Sequence, residues 1–143
     1  MLFGGVGVDT LIGGAEPDVF VFGRGLEPGT SGFALDTGVG RGNRDLVLDF
    51  HDGQDRLDLS GYRNFFPVPG TPSKPVFLGT DPFEASFAPQ VRYQIEDGRT
   101  VVQVTAPLGS PPSSAEPTAP GEPAAEIELA GEHHLEARDF ILT

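Results

Sequence analysis

Cysteine is absent, which excludes disulfides and thiolate metal sites and leaves packing, or an oxygen-ligated ion, to hold the fold. Basic residues are few. Nine stand against 21 acidic ones, and a net charge of −12 repels nucleic acid and anionic membranes, both of which are bound through Lys and Arg. Cations are the natural partners. No apolar stretch approaches the roughly 20 residues of a membrane span, so membrane insertion is not expected. Met1-Leu2-Phe3-Gly4 carries neither a basic region nor an apolar run, so no N-terminal signal peptide is expected. Catalytic patterns are missing as well: there is no Gly-x-Ser-x-Gly elbow, no Walker-type loop and no H-E-x-x-H. The three histidines, His51, His133 and His134, lack the spacing of a zinc site and read as surface residues.

The 143 residues suit one domain with a real core and leave no room for a separate catalytic domain. Twenty glycines and 14 prolines imply a loop-rich chain, while 38% hydrophobic content with 11 Phe argues against wholesale disorder.

Nine residues repeat at the start. Gly4-Gly5-Val6-Gly7-Val8-Asp9-Thr10-Leu11-Ile12 is followed in register by Gly13-Gly14-Ala15-Glu16-Pro17-Asp18-Val19-Phe20-Val21. Closely spaced glycines bend a tight loop whose carbonyl oxygens point inward, and one aspartate per turn adds an anionic oxygen. Calcium takes six to eight such oxygens. Leu11 and Phe20, at position eight of each copy, would pack the interior. Gly-Gly and Gly-x-Asp also form ordinary hairpin turns, but two copies in nine-residue register favour a parallel β-roll. The second copy carries Glu16 and Pro17 where the first has Gly7 and Val8, so its turn cannot copy the first, and one weaker site is expected.

Val19–Phe22 reads as a buried strand, and residues 23–44 as a Gly-rich loop. Two strands, 45–50 and 55–60, then flank a polar turn, in which Asp49, Asp55 and Asp58 read as closing the strand-turn-strand unit rather than as catalytic carboxylates. Residues 61–75, with four prolines, form an irregular connection. Phe77, Phe83 and Phe87 supply aromatic bulk. Alternation over 90–95 and 100–105 about Glu96-Asp97-Gly98-Arg99 predicts a hairpin with Asp-Gly at its centre. The Pro-rich stretch 107–124 reads as a mobile loop, 125–130 as a strand, and the apolar C-terminus as a final docked strand.

From residue 4 onward these landmarks resemble the C-terminal domain of serralysin-type metalloproteases, shared by other repeats-in-toxin (RTX) proteins. The match runs through the nonapeptides, Phe20-Val21-Phe22, Asp45-Leu46-Val47-Leu48-Asp49-Phe50, Gly53-Gln54-Asp55-Arg56-Leu57-Asp58-Leu59-Ser60 and Ala137-Arg138-Asp139-Phe140-Ile141-Leu142. The family usually has several nonapeptides before this point; here three residues precede Gly4.

The resemblance implies an all-β fold: a short parallel β-roll (1–22) running into a β-sandwich-like part (23–143), together one RTX domain. It implies Ca²⁺ as ligand, with Asp9 and Asp18 on opposite edges, Asp45 stacked over Asp9, and Asp36 reaching the same ion. Carbonyls of Gly4, Val6 and Gly14 would complete the set. It also implies a non-catalytic module of a secreted, extracellular bacterial protein. Such a module would cap a β-roll, fold on calcium after export, and leave through a type I secretion apparatus that reads the C-terminus. Two alternatives stay open: the tail of a secreted hydrolase or protease whose catalytic domain is elsewhere, and a calcium-dependent polysaccharide-binding module, as in alginate-modifying epimerases.

Overall fold

The computed structural model describes residues 1–4, 7–22, 39–60, 75–84, 89–105, 123 and 125–142. The expectations for Val6, Asp36, Phe87, residues 61–74 and most of 107–124 fall outside the described residues. The described residues are all-β apart from short 3-10 turns such as Ala137–Asp139. The strands are β1 (Leu2–Phe3), β2 (Thr10–Leu11), β3 (Val19–Val21), β4 (Asp45–Val47), β5 (Arg56–Asp58), β6 (Val76–Phe77), β7 (Gln90–Glu96), β8 (Arg99–Val104), β9 (Ala125–Leu129) and β10 (Phe140–Ile141).

They form two sheets, in the orders β1-β3-β5-β10 and β2-β4-β9-β8-β7-β6. Strands β1 to β5 therefore alternate between the sheets, and each pairs in parallel with the next strand of its own sheet. This is a parallel β-roll. A nonapeptide spends most of its length on the turn, so its strands are only two or three residues long. Inward side chains stack from strand to strand: Leu2, Phe20, Leu57 and Phe140 stand opposite one another across the first sheet. Leu11, Val47 and Leu129 do so in the second. These columns meet in one core with Phe22, Phe50, Leu59, Val102 and Ile127.

The parallel ladders continue past residue 22 into β4, β5, β9 and β10. Antiparallel pairing is confined to β8 and its neighbours β7 and β9, which widen the second sheet. The β7–β8 turn has Asp97 at φ 50° and Gly98 at φ 75°. Two left-handed residues suit a two-residue hairpin, and Asp-Gly tolerates them at low steric cost. Phe77 of β6 then closes over the core, its ring 4.7 Å from that of Phe140 and stacked on Tyr93.

Period two along β9 places Glu126 and Glu128 on the face opposite the core, yet both are buried. The buried guanidinium of Arg44 explains it: Nε donates to Glu128 at 2.8 Å and Nη1 to Glu126 at 3.3 Å. Arg99 reaches the second oxygen of Glu128, and the Gln103 amide donates to Glu126 at 2.7 Å. Burial works to raise the Glu128 pKa, but the two arginines outweigh it and hold the carboxyl below its ordinary value.

Leu57 lies between Phe20 and Phe140 and is wholly buried. Leu57→Ala is expected to cost about 2–5 kcal/mol. Urea unfolding should show this as a lower midpoint at nearly unchanged slope.

Candidate metal centre

A chain that alternates between two sheets places its turns on two edges. The turn between β1 and β2 ends at Asp9 on one edge, and the turn between β2 and β3 ends at Asp18 on the other. Asp45 opens β4, one coil after Asp9. Since Thr10 stands opposite Leu46, Asp45 stacks beside Asp9.

On this first edge the Asp9 N–H donates to Asp45 Oδ1 at 2.9 Å. Asp45 is fully buried. A Cβ on Gly4 would stand 3.0 Å from Asp45 Oδ2 and 3.1 Å from Asp9 Oδ2. The two carboxylate oxygens therefore border the same point, left open because residue 4 has no side chain. Asp9 Oδ2 is buried and accepts no hydrogen bond among the described residues. A buried oxygen without a donor is costly, and more so when it is charged.

The second edge repeats the motif. A Cβ on Gly13 would come within 2.6 Å of Asp18 Oδ2 and 3.0 Å of Phe20 Cζ. Asp18 Oδ2 also has no hydrogen-bond partner among the described residues, while the Met1 amino group lies 3.9 Å from Asp18 Oδ1. The Asp18 N–H donates to Asp55 Oδ1 at 2.9 Å. Gly14, at φ 107°, donates its N–H to Asp49 Oδ2 at 2.7 Å, and Gly13 donates to Asp49 Oδ1 at 2.8 Å. Asp55 Oδ2 accepts from the His51 N–H, and Asp139 accepts from the N–H groups of Gly53 and Glu136.

Asp49 and Asp55, read from the sequence as closing a strand-turn-strand unit, are thus part of the edge, and so is Asp139, to which the sequence reading assigned no role there. One signal was available: Asp55 and Asp139 stand immediately before Arg56 of β5 and Phe140 of β10, as Asp9 and Asp18 stand before Thr10 and Val19. Asp58 faces away from this edge and binds the Ser60 hydroxyl and N–H.

Burial works to raise the Asp49 pKa, but the N–H groups of Gly13 and Gly14, helped by His51, hold it below its ordinary value of 3.8. The carboxylate remains ionised. Histidines do not gather: His133 sits edge-on to Phe50 with its Nδ1 on Asp52 and its Nε2 on the Ala130 carbonyl, whereas His51 contacts Asp55.

Among the described residues no three His, Asp or Glu side chains converge as a metal cluster. The donors described at Gly4 are two carboxylates, with neither sulfur nor imidazole. Such a set fits a hard cation whose shell is completed by carbonyls. The orphaned Asp9 and Asp18 oxygens are the observation that meets the fit.

The fold is a parallel β-roll with one sheet widened by a hairpin. Among solved structures, the chain is similar to the AlgE6R2 subunit of the Azotobacter vinelandii mannuronan C5-epimerase: 24% identity, 98% of this chain and 68% of that one, and a TM-score of 0.53. That likeness is one of fold. The AlgE6R3 subunit of the same epimerase matches at 26% identity over 99% of this chain and 66% of that one, with a TM-score of 0.36 that adds nothing to the fold assignment. No protein-family model and no curated protein matches the chain. The narrower serralysin-type resemblance rests on the sequence motifs.

A carboxyl whose folded pKa is depressed stabilises the fold above its ordinary pKa, and that contribution is lost as the pH falls through the folded value. Asp49→Asn should therefore melt lower than the parent at neutral pH. Its acid loss of stability, in the range below about pH 4, should be shallower than the parent's. Melting temperature against pH checks both.

Proposed function

We propose that this chain is a non-catalytic calcium-binding β-roll module. The observation that carries the reading is the pair of carboxylate oxygens, Asp9 Oδ2 and Asp45 Oδ2, meeting at the open face of Gly4. Two anionic oxygens that border one point repel each other, and a divalent cation placed between them converts that repulsion into attraction. Calcium suits the place better than magnesium. It accepts irregular shells of six to eight oxygens, and a glycine turn supplies carbonyls without octahedral regularity. Asp9 and Asp45 would hold it, with carbonyls from Gly4 and Val6, and Asp36 as a further candidate. Asp18 and Gly14 would serve the opposite edge, where the Gly14 N–H already binds Asp49.

The finer reading is that the module caps a β-roll and folds on calcium after type I export to the extracellular space. Its support is the RTX resemblance, the net charge of −12 and the low free calcium inside cells. Extracellular modules bind calcium with Kd of about 10⁻⁴–10⁻³ M. A tenfold excess over Kd stabilises by about 1.4 kcal/mol through mass action. No helix among the described residues is long and apolar enough to cross a membrane. A polyanionic glycan as partner has less support, because Arg41, Arg44, Arg99 and Arg138 each already face a carboxylate.

Calcium should raise the melting temperature of the parent chain, and titration calorimetry with a chelator control should show saturable binding. Asp9→Ala with Asp45→Ala should remove most of that rise. An undiminished rise in the double variant would take these residues out of the site.

A further inference from the structure

We infer that Asp97 is a self-modification site, at which the side chain closes onto the Gly98 nitrogen as a cyclic imide and the fold favours reopening to D-aspartate. This chemistry is independent of the calcium site. Asp97 is the one residue other than glycine with a positive φ among the described residues, at 50°. The β7–β8 register pairs Glu96 with Arg99, so Asp97 and Gly98 make up the whole loop. An L-residue is crowded in the left-handed region, because its Cβ approaches the following carbonyl oxygen. The mirror-image residue has its minimum there, and D-residues suit the first central position of such a hairpin turn.

Water is the only co-reactant. The Gly98 nitrogen bonds to Asp97 Cγ, and one carboxyl oxygen leaves as water, carrying the amide proton and the carboxyl proton. In the imide the Asp97 Cα proton is acidic, so it leaves to solvent and returns on either face. Water then reopens the ring. Addition at the main-chain carbonyl routes the chain through the side-chain carboxyl, which adds one atom to a two-residue loop and disturbs the Glu96–Arg99 pairing. Addition at the side-chain carbonyl restores the ordinary link. With Cα inverted, that second product keeps the loop length and fits the left-handed conformation. The water lost at closure is regained at opening, so the composition of the chain is unchanged.

The sequence has a second Asp-Gly pair, Asp52-Gly53, and the structure separates the two. The Gly53 N–H donates to Asp139 Oδ1 at 3.2 Å, and Asp52 Oδ1 is held by His133 Nδ1, so the attacking nitrogen and the carboxyl are both engaged. The Asp97 side chain is 75% exposed, and its one ion pair, with Arg41 Nη2 at 3.1 Å, lies open to water that screens it. At Gly98 no heavy atom stands within 4 Å of the point that a Cβ would occupy, so the nitrogen is open to approach.

The test ages the intact chain in warm neutral buffer, digests it, and separates the peptides that carry positions 52 and 97. Chiral amino-acid analysis reads D-aspartate, enzymatic methylation reads the β-linked form, and a synthetic peptide of residues 90–105 gives the unfolded reference. Asp97 should be modified about tenfold or more faster than Asp52, the factor set by first breaking a hydrogen bond to a charged acceptor at Gly53. The ratio of D-aspartate to β-linked product at position 97 should be severalfold higher in the chain than in the peptide. Asp97→Asn keeps a residue that the turn accepts and reaches the same imide faster, with ammonia as the leaving group, so intact mass follows its closure. Its product should show the same excess of D-aspartate. An unmodified position 97 in both chains, modification of Asp52 at an equal rate, or an equal product ratio in chain and peptide would each overturn the proposal.

Discussion

The structure depends on one repeated contact, in which an aspartate at a turn accepts the backbone N–H of the coil before it. Parallel strands of two or three residues make few ladder bonds, so they cannot hold the coils in register alone. The turns supply what the strands lack. Asp45 binds Asp9, Asp55 binds Asp18, and Asp49 spans the consecutive N–H groups of Gly13 and Gly14. Each is a hydrogen bond to a charged acceptor, a kind worth about 1.5–3 kcal/mol.

The same carboxylates carry the candidate cation chemistry, and the two roles use different oxygens. Asp45 gives Oδ1 to the Asp9 N–H and turns Oδ2 toward Gly4. A coil can thus be stitched to its neighbour and still present anionic oxygen at the turn. Glycine is required there for space: at Gly13 an added Cβ would fall 2.6 Å from a carboxylate oxygen. Elsewhere the chain neutralises its excess of acid internally, as Arg44 and Arg99 do for Glu126 and Glu128. Removing Arg44 would take one counter-charge from each of two buried carboxylates, which costs more than the pair gains over an apolar equivalent.

Much of the architecture was legible because it is local. The Asp97-Gly98 hairpin and the strands observed at 19–21, 45–47 and 125–129 follow from short-range pattern, whereas the placement of Asp9 and Asp18 on opposite edges was implied by the RTX resemblance. Glu126 and Glu128 were not legible as buried residues. Alternation places them on the face opposite the core, and their burial depends on partners from elsewhere in the chain, among them Arg44, more than 80 residues away in sequence. The donors of Asp49, Asp55 and Asp139 were hidden for the same reason, since the N–H groups of Gly13, Asp18 and Gly53 lie on neighbouring coils.

The nine-residue period by itself determined that Leu11 and Phe20, at position eight of each copy, line the core, while the edge each aspartate occupies was implied by the RTX resemblance. Tertiary structure alone decided which carboxylate oxygen meets a backbone donor and which turns toward a glycine. That choice depends on the stacking of coils some 35 to 37 residues apart. Such separations leave no trace in local pattern, since the contact exists only once the intervening chain has closed and the sheets have aligned.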